Sequence, residues 1–451
     1  MPTCPAHWRV VRPKTIFRRM QRSVRPEDGV VTAFRDGVVT LRKNRRTTGF
    51  TEALQEIGYQ GIRKGDLVIH AMDAFAGAIG VSDSDGKGTP VYSVCQPTGD
   101  ANSWYYALVL REMSRSGYLL SLAKGIRERS TDFRFVDFAS LMVPLPPVEE
   151  QEQIVRFVRQ LDSRVNRLIK AKRRLIELLN EQKQAIIHQA VTRGLDPTVP
   201  LKPSGINWLG NIPQHWRAIA IKRMLKRMDY GTSESSMDEG AIRVLTMGHI
   251  RDGEINVPVS GGLDAVPDFL LLEQKDLLFN RTNSPDLVGK VGIFKGTVDD
   301  RVTFASYLVR LRVLDEHSPF WLNYLLGSRE FWGFARSQAL VSLHQANLNS
   351  TRYGQMLVPV PPPNEQVEIA EHLRGALATF ELGMAKARSE IDFIREYRSR
   401  LVADVVTGQL DVRQHPWANI EIEDSTEPIL DDTELEDDLE ETDDVLEEAG
   451  V

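Results

Sequence analysis

Few residues in this sequence of 451 amino acids have the types and spacing that catalysis requires. The one nuclease-like pattern places Asp268, Glu273 and Lys275 close together, where carboxylates could hold a metal ion and a lysine could assist cleavage. The nearest phosphate-binding pattern, residues 85–89, lacks the upstream glycine and the Ser or Thr directly after lysine that a Walker A loop requires. The sequence therefore favours a non-catalytic chain and leaves a stand-alone metal-dependent nuclease as the enzyme alternative.

Residues of the types that contact DNA are more frequent. Four cations within residues 42–46 favour contact with DNA phosphates over a merely solvated loop. Residues 280–283 read Asn-Arg-Thr-Asn and directly follow a predicted strand, where base contact and ordinary loop hydrogen bonding are equally open. The residues predicted to bind DNA are Arg42, Lys43, Arg45, Arg46, Arg127, Arg129, Asn280, Arg281, Asn283, His344, Gln345 and Asn347. DNA-backbone contact and structural pairing are equally open for Arg18, Arg19, Lys222, Arg223, Lys226 and Arg227.

The net charge of −6 is the sum of two unlike parts. From Gln414 to Val451 the chain has 16 Asp and Glu residues and neither Lys nor Arg, which leaves residues 1–413 with a net charge of +10. The basic part suits a nucleic-acid partner, although the total charge would argue against one. The acidic tail holds too few apolar residues to fold, so we expect it to be disordered. It either aids solubility or competes with DNA for the basic surface.

The cellular compartment follows from what the sequence lacks. Cys4 and Cys95 are its two cysteines, too few for a disulfide framework and without the spacing of a metal site. No apolar stretch approaches the 18 or more residues that a membrane span requires, and the N-terminus lacks the apolar region of a signal peptide. We therefore expect a cytoplasmic protein without membrane contact.

An internal repeat determines the domain organisation. Pro-Ala-His-Trp-Arg at residues 5–9 recurs as Pro-Gln-His-Trp-Arg at residues 213–217, and Val-Pro-Leu-Pro-Pro at residues 143–147 recurs as Val-Pro-Val-Pro-Pro at residues 358–362. From the proline-rich segments onward the two copies keep one offset of 215 residues for more than fifty residues. Such a register does not arise by chance, so the chain is a duplicated module.

A long heptad pattern follows each proline-rich segment. Apolar residues step by four and three from Ile154 to Ile186 and again from Ile369 to Leu401, which predicts a coiled-coil seam in two long helices. Lys172, Gln182, Gly383 and Glu390 interrupt these seams, so the helices must pair with each other or with a partner. Antiparallel pairing would relate the two copies by a pseudo-twofold axis, and one chain would then imitate a homodimer.

These patterns predict an α+β fold with two similar mixed α/β domains, a pair of long antiparallel helices and a circular, pseudo-twofold arrangement. Each copy is also predicted to hold several short strands and one closing apolar helix, at residues 104–123 and 319–336. The predicted segments are domain 1 at 1–148, a central helix at 149–193, a Pro/Gly-rich linker at 194–212, domain 2 at 213–363, a distal helix at 364–412 and the acidic tail at 413–451.

Four segments carry a family resemblance. Residues 204–216, the two proline-rich segments that run into Glu-Gln and a long helix, and residues 280–285 resemble the DNA-specificity subunit of type I restriction-modification systems. The resemblance covers residues 5–412 and implies two target-recognition domains, each reading half of a bipartite DNA site, with the helices fixing the spacing. It also implies that the chain has no catalytic activity.

The same resemblance implies the partners. The subunit would bind double-stranded DNA, two methyltransferase subunits and restriction subunits that translocate DNA, directing adenine methylation and ATP-dependent cleavage. S-adenosylmethionine, ATP and Mg²⁺ would be used by those partners, and this chain would bind no cofactor. The residues predicted to dock partners are Pro146, Pro147, Glu150, Gln151, Pro361, Pro362, Glu365 and Gln366. A third alternative, besides the nuclease, is a coiled-coil scaffold without sequence preference.

Overall fold

The fold is built on two long helices and two sets of short strands. The computed structural model describes residues 4–45, 56–122, 132–296, 300–342 and 345–419. They divide into unit 1, residues 1–173 and 388–451, and unit 2, residues 174–387. Unit 1 therefore combines the first and last parts of the chain, while unit 2 is one continuous stretch.

Eight α-helices are present in the described residues. They are α1 (Ser103–Arg115), α2 (Tyr118–Ser121), α3 (Phe135–Ser140), α4 (Val148–Arg193), α5 (Pro319–Leu326), α6 (Arg329–Ser337), α7 (Ser350–Gln355) and α8 (Pro363–Val406). Each closing helix predicted from the sequence is in fact two helices, because a turn interrupts the first at Gly117 and the second at Gly327. The distal helix ends at Val406, six residues before its predicted end, and Gly408 follows with a φ of 78°. No helix in the described ranges is both long and apolar enough to cross a membrane.

Unit 1 is built on a four-stranded antiparallel sheet. Its strands are β1 (Arg9–Val11), β2 (Phe17–Arg19), β3 (Val31–Ala33), β4 (Val39–Leu41), β5 (Gln60–Ile62), β6 (Leu67–His70), β7 (Ile79–Val81), β8 (Gly86–Gly88), β9 (Tyr92–Pro97) and β10 (Val143–Leu145). The sheet has the order β2-β9-β6-β7, and three two-stranded pairs, β3-β4, β5-β8 and β1-β10, surround it. Val31, Val39, Ile62, Val68 and Val94 form a buried cluster between these strands.

Unit 2 contains a larger sheet. Its strands are β11 (Leu201–Ile206), β12 (Leu209–Pro213), β13 (Arg217–Ala220), β14 (Leu225–Tyr230), β15 (Arg243–Leu245), β16 (Ile250–Arg251), β17 (Glu254–Ile255), β18 (Leu277–Asn280), β19 (Thr282–Asn283), β20 (Val291–Ile293), β21 (Val302–Phe304), β22 (Leu308–Val313), β23 (Leu340–Ser342), β24 (Gln345–Asn347) and β25 (Leu357–Val360). Six strands form one sheet in the order β14-β22-β18-β20-β17-β16. The smaller sheets are β11-β12, β13-β25, β15-β21 and the three-stranded β19-β24-β23.

Strand β18 shows why this sheet is buried on both faces. Leu277 and Phe279 pack into a cluster with residues of α4, α5 and α8, whereas Leu278 packs into a second cluster with Phe294 and Phe304. Alternating side chains of a strand point to opposite faces, so a continuous apolar run is what a strand covered on both sides requires.

Helices α4 and α8 run antiparallel within each unit. In unit 1 the Lys172 ammonium lies 2.5 Å from Glu390 and the Asp162 carboxylate accepts a 2.9 Å hydrogen bond from Arg398. In unit 2 Lys183 donates to Glu381 at 2.8 Å. The fold class predicted from the sequence, mixed α and β with two long antiparallel helices, is therefore confirmed. Lys172 and Glu390, which interrupt the apolar seams in sequence, pair with each other.

The buried seam departs from the predicted heptads in the middle of each helix. Ile169 is buried and Leu168 exposed in α4, while Leu377 and Ile391 take the buried positions in α8 that Ala376 and Glu390 were expected to hold. An α-helix of 3.6 residues per turn drifts about 20° per heptad against a 3.5-residue repeat, so one fixed heptad register does not describe helices that also pack on a domain.

The segment expected to be a linker, residues 194–212, contains the β11-β12 hairpin. Its pairing has an irregularity between Pro203 and Ile206, and Ser204 donates to the carbonyl of Leu209 at 2.5 Å. Trp208 from its turn packs edge-on against Phe331. Prolines and glycines in this stretch therefore form an ordered hairpin that belongs to unit 2.

A recurring arrangement, which we call the helix corner, joins the start of one long helix to the end of the other. In unit 1 it consists of His7, Trp8, Glu150 and Gly408, and His7 lies 2.9 Å from Glu150. In unit 2 it consists of His215, Trp216, Glu365 and Gly194, and His215 lies 2.8 Å from Glu365. Trp8 and Trp216 are both buried.

Both helix-corner glycines have a left-handed backbone, with φ of 75° at Gly194 and 78° at Gly408. A Cβ atom added to Gly408 would meet the ring of Pro5 and would lie 2.7 Å from Cη2 of Trp8. Glycine is thus required at this helix end for its conformation and for the close approach of the tryptophan.

We predict that Gly408→Ala lowers the free energy of unfolding by about 2–5 kcal/mol, because left-handed strain and overpacking against Trp8 add. Gly117→Ala is the matched control, since its φ is 74° but nothing lies within 4 Å of the added Cβ. It should cost only about 1–2 kcal/mol. Urea unfolding followed by circular dichroism measures both, and equal losses would contradict the packing role of Gly408.

Candidate nucleic-acid interface

In unit 1, some cations of the basic cluster at residues 42–46 bond to other residues of the same domain. Arg42 donates from Nε to the Thr32 hydroxyl at 3.2 Å. Arg45 pairs with Asp36 at 2.7 Å and lies over the Phe34 ring, 4.5 Å from its centroid. Lys43 is exposed. Of the described members of this cluster, Lys43 is thus the best placed to contact DNA phosphates.

Four of the predicted DNA contacts lie outside the described residues. They are Arg46, Arg127, Arg129 and His344. The acidic tail from residue 420 onward lies outside them as well.

In unit 2 the structure brings the two predicted DNA-contacting segments together. Strand β24 pairs with β19, with Asn347 opposite Thr282 and Ala346 opposite Asn283. The side-chain amide of Asn347 donates to the Thr282 hydroxyl at 3.0 Å. Gln345, at the start of β24, is exposed. Residues more than sixty positions apart in sequence therefore form one small sheet.

The residues of the Asn-Arg-Thr-Asn segment have different environments. Asn280 is completely buried and its amide donates to the Met247 carbonyl at 3.4 Å, so it is not available to a ligand at the surface. The Asn283 side chain accepts from the backbone N–H of Ser284 at 2.7 Å. Arg281 is partly exposed and stacks over Tyr230, 5.1 Å from the ring centroid. Arg281 remains the best candidate of this segment.

The cations for which backbone contact and structural pairing were both open occupy equivalent edges. Arg18 and Arg19 lie on β2, the terminal strand of its sheet, and Lys226 and Arg227 lie on β14, the terminal strand of the larger one. Lys222 and Arg223 are exposed just before β14, as is Lys226 on it. Positive charge on an edge strand also discourages pairing with other chains, so the edges admit both explanations.

Arg227 differs from its neighbours on this edge. Asp229 accepts from Arg227 at 3.1 Å and from Arg310 at 2.5 Å. The Arg310 side chain is fully buried and also donates to the Phe269 and Leu271 carbonyls. Arg227 is therefore held by a structural charge network.

The nuclease-like pattern is also part of an ion-pair network. Glu273 lies 2.5 Å from Arg312, which makes a two-bond contact with Asp276 at 2.8 and 2.7 Å. Unit 1 repeats this arrangement, since Asp66 pairs with Arg22 and accepts from the backbone N–H of Arg63 as Asp276 does from that of Glu273. In the described ranges no group of three or more His, Cys, Asp and Glu could hold a metal ion.

The left-handed backbone at this turn also repeats. Gly65 has a φ of 88° and Lys275, at the equivalent place in unit 2, has a φ of 73°. Lys275 thus stands where the turn favours glycine, and its position follows from the turn before a buried strand.

Most of the residues expected to dock partners are buried or hydrogen-bonded within their own unit. Gln151 is fully buried; it donates to the carbonyls of Asp100 and Pro146 and accepts from the N–H of Asn102. Gln366 is fully buried in the same way, donating to the Pro361 carbonyl and accepting from the N–H of Ser318.

These two glutamines tie each long helix to the closing helix of its domain, because Asn102 and Ser318 are the N-caps of α1 and α5. Pro146 and Pro361 are buried, and Glu150 and Glu365 belong to the helix corners. Burial of the two prolines and two glutamines, and the internal bonds of the two glutamates, leave the exposed Pro147 and Pro362 as the better candidates for docking.

Several exposed apolar residues on the long helices lie outside the predicted heptad seams. Leu382 is 72% exposed in unit 2, and Phe393 is 67% exposed in unit 1. Leu178 of unit 2 is also exposed and stands 215 residues before Phe393. Large apolar residues outside the predicted seam were the sequence signal that could have predicted this exposed surface.

A second feature that the sequence did not reveal is the exposed strand β23. Leu340 is 67% exposed and Val341 is 63% exposed. They immediately precede the polar segment around Gln345, and nothing in their spacing distinguishes them from a buried strand.

Comparison with known proteins gives consistent matches. Residues 104–178 match the family model described as type I restriction modification DNA specificity domain. Over 324 residues the chain is 24% identical to the type I restriction enzyme MjaVIII specificity subunit of Methanocaldococcus jannaschii, covering 68% of this chain and 70% of that protein. Over 280 residues it is 20% identical to the type I restriction enzyme EcoKI specificity subunit of Escherichia coli, covering 60% of this chain and 58% of that protein.

A match to a solved structure shows a similar fold. A chain from a structure described as showing complex assembly and conformational transition of the type I R-M system superimposes with a TM-score of 0.65. The sequence identity is 16%, and the alignment covers 91% of this chain and 100% of that chain.

Proposed function

We propose that this chain, which belongs to the family of DNA-specificity subunits of type I restriction-modification systems, is the part of such a complex that recognises the DNA sequence. The observation that carries the proposal is the repetition of one structural plan in both units. Each unit has a helix corner, a buried glutamine at the start of a long helix and a buried Asp–Arg pair beside the main sheet. Two similar readers on one chain suit a bipartite DNA site.

The target-recognition domains in this proposal are residues 1–148 and 213–363, each reading one half-site. Their frames are alike, but their exposed residues differ, which supports two different half-sites. In domain 1 the proposed contacts centre on Lys43, and in domain 2 on Arg281, Gln345 and the exposed cations before β14. The chain performs no catalysis in this proposal and acts in the cytoplasm.

The partners in this proposal are two methyltransferase subunits, together with restriction subunits. Exposed apolar residues of α4 and α8 are the proposed docking residues, since a partner that covers them would remove apolar surface from water. Leu178 and Phe393 stand at equivalent positions of the two repeats. Equivalent positions would dock two copies of the same partner, and those copies would supply the S-adenosylmethionine chemistry.

Deleting the gene should remove adenine methylation from one bipartite motif in the genome. Both strands of that motif should lose methylation, because the partner methyltransferases have no DNA specificity without this chain. Sequencing that detects methylated adenine in wild-type and deletion strains measures the effect. Re-expression of the wild-type chain is the control, and an unchanged set of methylated motifs would contradict the proposal.

Inserting one heptad into each long helix should lengthen the spacer of the recognised motif by about three base pairs. Seven residues add roughly 10 Å of helix, and base pairs rise about 3.4 Å. The insertions go between Arg173 and Arg174 and between Ala387 and Arg388, where the antiparallel register pairs the two helices. An insertion into α4 alone should disrupt pairing and abolish methylation. A lengthened chain that methylates the original motif would contradict the spacer role.

Replacing Lys222, Arg223 and Lys226 together by glutamine should weaken binding to all DNA sequences alike. Each phosphate contact contributes about 0.9 to the slope of log affinity against log salt concentration, so the slope should fall by about 2–3. Lys386→Gln, an exposed lysine on α8, is the control and should leave the slope unchanged. If the three cations only protect the sheet edge, the variant would aggregate and its remaining monomer would show the original slope.

A further inference from the structure

One face of the small sheet β19-β24-β23 combines apolar and amide side chains to which the proposed function assigns no shared role. Cross-strand partners in an antiparallel sheet point to the same side, and Leu340 is opposite Asn347, which is itself opposite Thr282. Ser342 is opposite Gln345, two residues further along each strand, so it lies on this side too. Leu340, Ser342, Gln345, Asn347 and Thr282 therefore share one face.

Strand β23 is exposed on both of its faces. Neighbouring strand residues point to opposite sides, yet Leu340 and Val341 are 67% and 63% exposed and Ser342 is exposed as well. By contrast, the middle strand of this sheet is anchored, since Ala346 is buried in the core of unit 2. The strands β23 and β24 thus form a two-stranded ribbon. Strand β24 is anchored in the core, and the exposed strand β23 carries two large apolar side chains.

Cations flank the ribbon. Arg281 directly precedes β19, and Arg352 donates to the carbonyl of Gln338, two residues before β23. Arg336, on the helix before the ribbon, donates to the Asp286 carbonyl. The major groove of DNA admits a two-stranded β-ribbon, and guanidinium groups beside such a ribbon suit the flanking phosphates.

We infer that Leu340 reads a thymine methyl group in the major groove while Gln345, on the same face, reads the adenine paired with it. An A·T pair presents the N7 acceptor and N6 donor of adenine beside the C5-methyl group of thymine, and a glutamine amide with an apolar side chain complements that set. The Asn347 amide already donates to Thr282, so Gln345 is the exposed amide of this face. The inference rests on the proposed DNA-recognition function and adds Leu340 as a specificity-determining residue.

The test removes the methyl group from the DNA and the apolar group from the protein. The complex of this chain with its methyltransferase subunits is titrated with duplexes carrying the methylated motif, in which uracil replaces thymine in each half-site in turn. In the wild-type complex, replacement in the half-site read by domain 2 should weaken binding about fourfold per contacted methyl. In Leu340→Ser that uracil substitution should have no effect, whereas Leu340→Met should retain sensitivity.

Val259→Ser is the matched control, because Val259 is an apolar residue of unit 2 that is 93% exposed. It should respond to uracil as the wild type does. Replacement in the other half-site should affect wild type and Leu340→Ser equally. Leu340→Ser adds no charge, so the salt dependence of binding should stay unchanged.

The outcomes are distinct. A wild-type complex insensitive to uracil in the half-site read by domain 2, or equal losses there in wild type and Leu340→Ser, would overturn this inference while leaving DNA recognition intact. Failure of Leu340→Ser to assemble with the methyltransferase subunits would make the ribbon a protein interface and overturn the inference as well. A wild-type complex that does not distinguish the motif from a scrambled duplex would overturn the proposed function, and the inference with it.

Discussion

The contact on which both units depend is the one between the beginning of one long helix and the end of the other. At each helix corner a tryptophan packs against a glycine whose backbone is left-handed, and a histidine and a glutamate bond beside it. The neighbouring glutamines, Gln151 and Gln366, fix the same helix starts to α1 and α5. Because the tryptophans and glutamines of these contacts are buried, each helix enters its domain at a defined point.

The charged pairs between the helices add register to this anchoring. An apolar seam alone permits sliding by a heptad, whereas Lys172 with Glu390 and Asp162 with Arg398 match in one alignment only. These pairs are partly exposed and contribute little stability each. Their importance is that they exclude other registers of α4 against α8. A single register suits two helices whose length sets the spacing between the half-sites.

The sequence predicted the parts of this structure that depend on repetition and periodicity. The helices, their antiparallel pairing and the repeated anchors could be inferred because burial imposes a regular spacing on the residues involved. The partners that a residue contacts from distant parts of the sequence could not be inferred. Gln151 was therefore expected at a docking surface, although it is buried and makes three internal hydrogen bonds. Asn280 and Leu340 show the same limit, since local sequence does not reveal which side of a short strand faces solvent.

The division of the chain into units also has a consequence for biosynthesis. Unit 2 is one continuous stretch that ends at residue 387, so all of its residues are synthesised before residues 388–419. Unit 1 requires residues 388–419, including the strap of His415 and Trp417 that packs on Phe157. Residues 1–173 are therefore synthesised before unit 2, but their unit is completed after it. The part of α4 in unit 1 stays without the matching part of α8 until residues 388–406 have been synthesised.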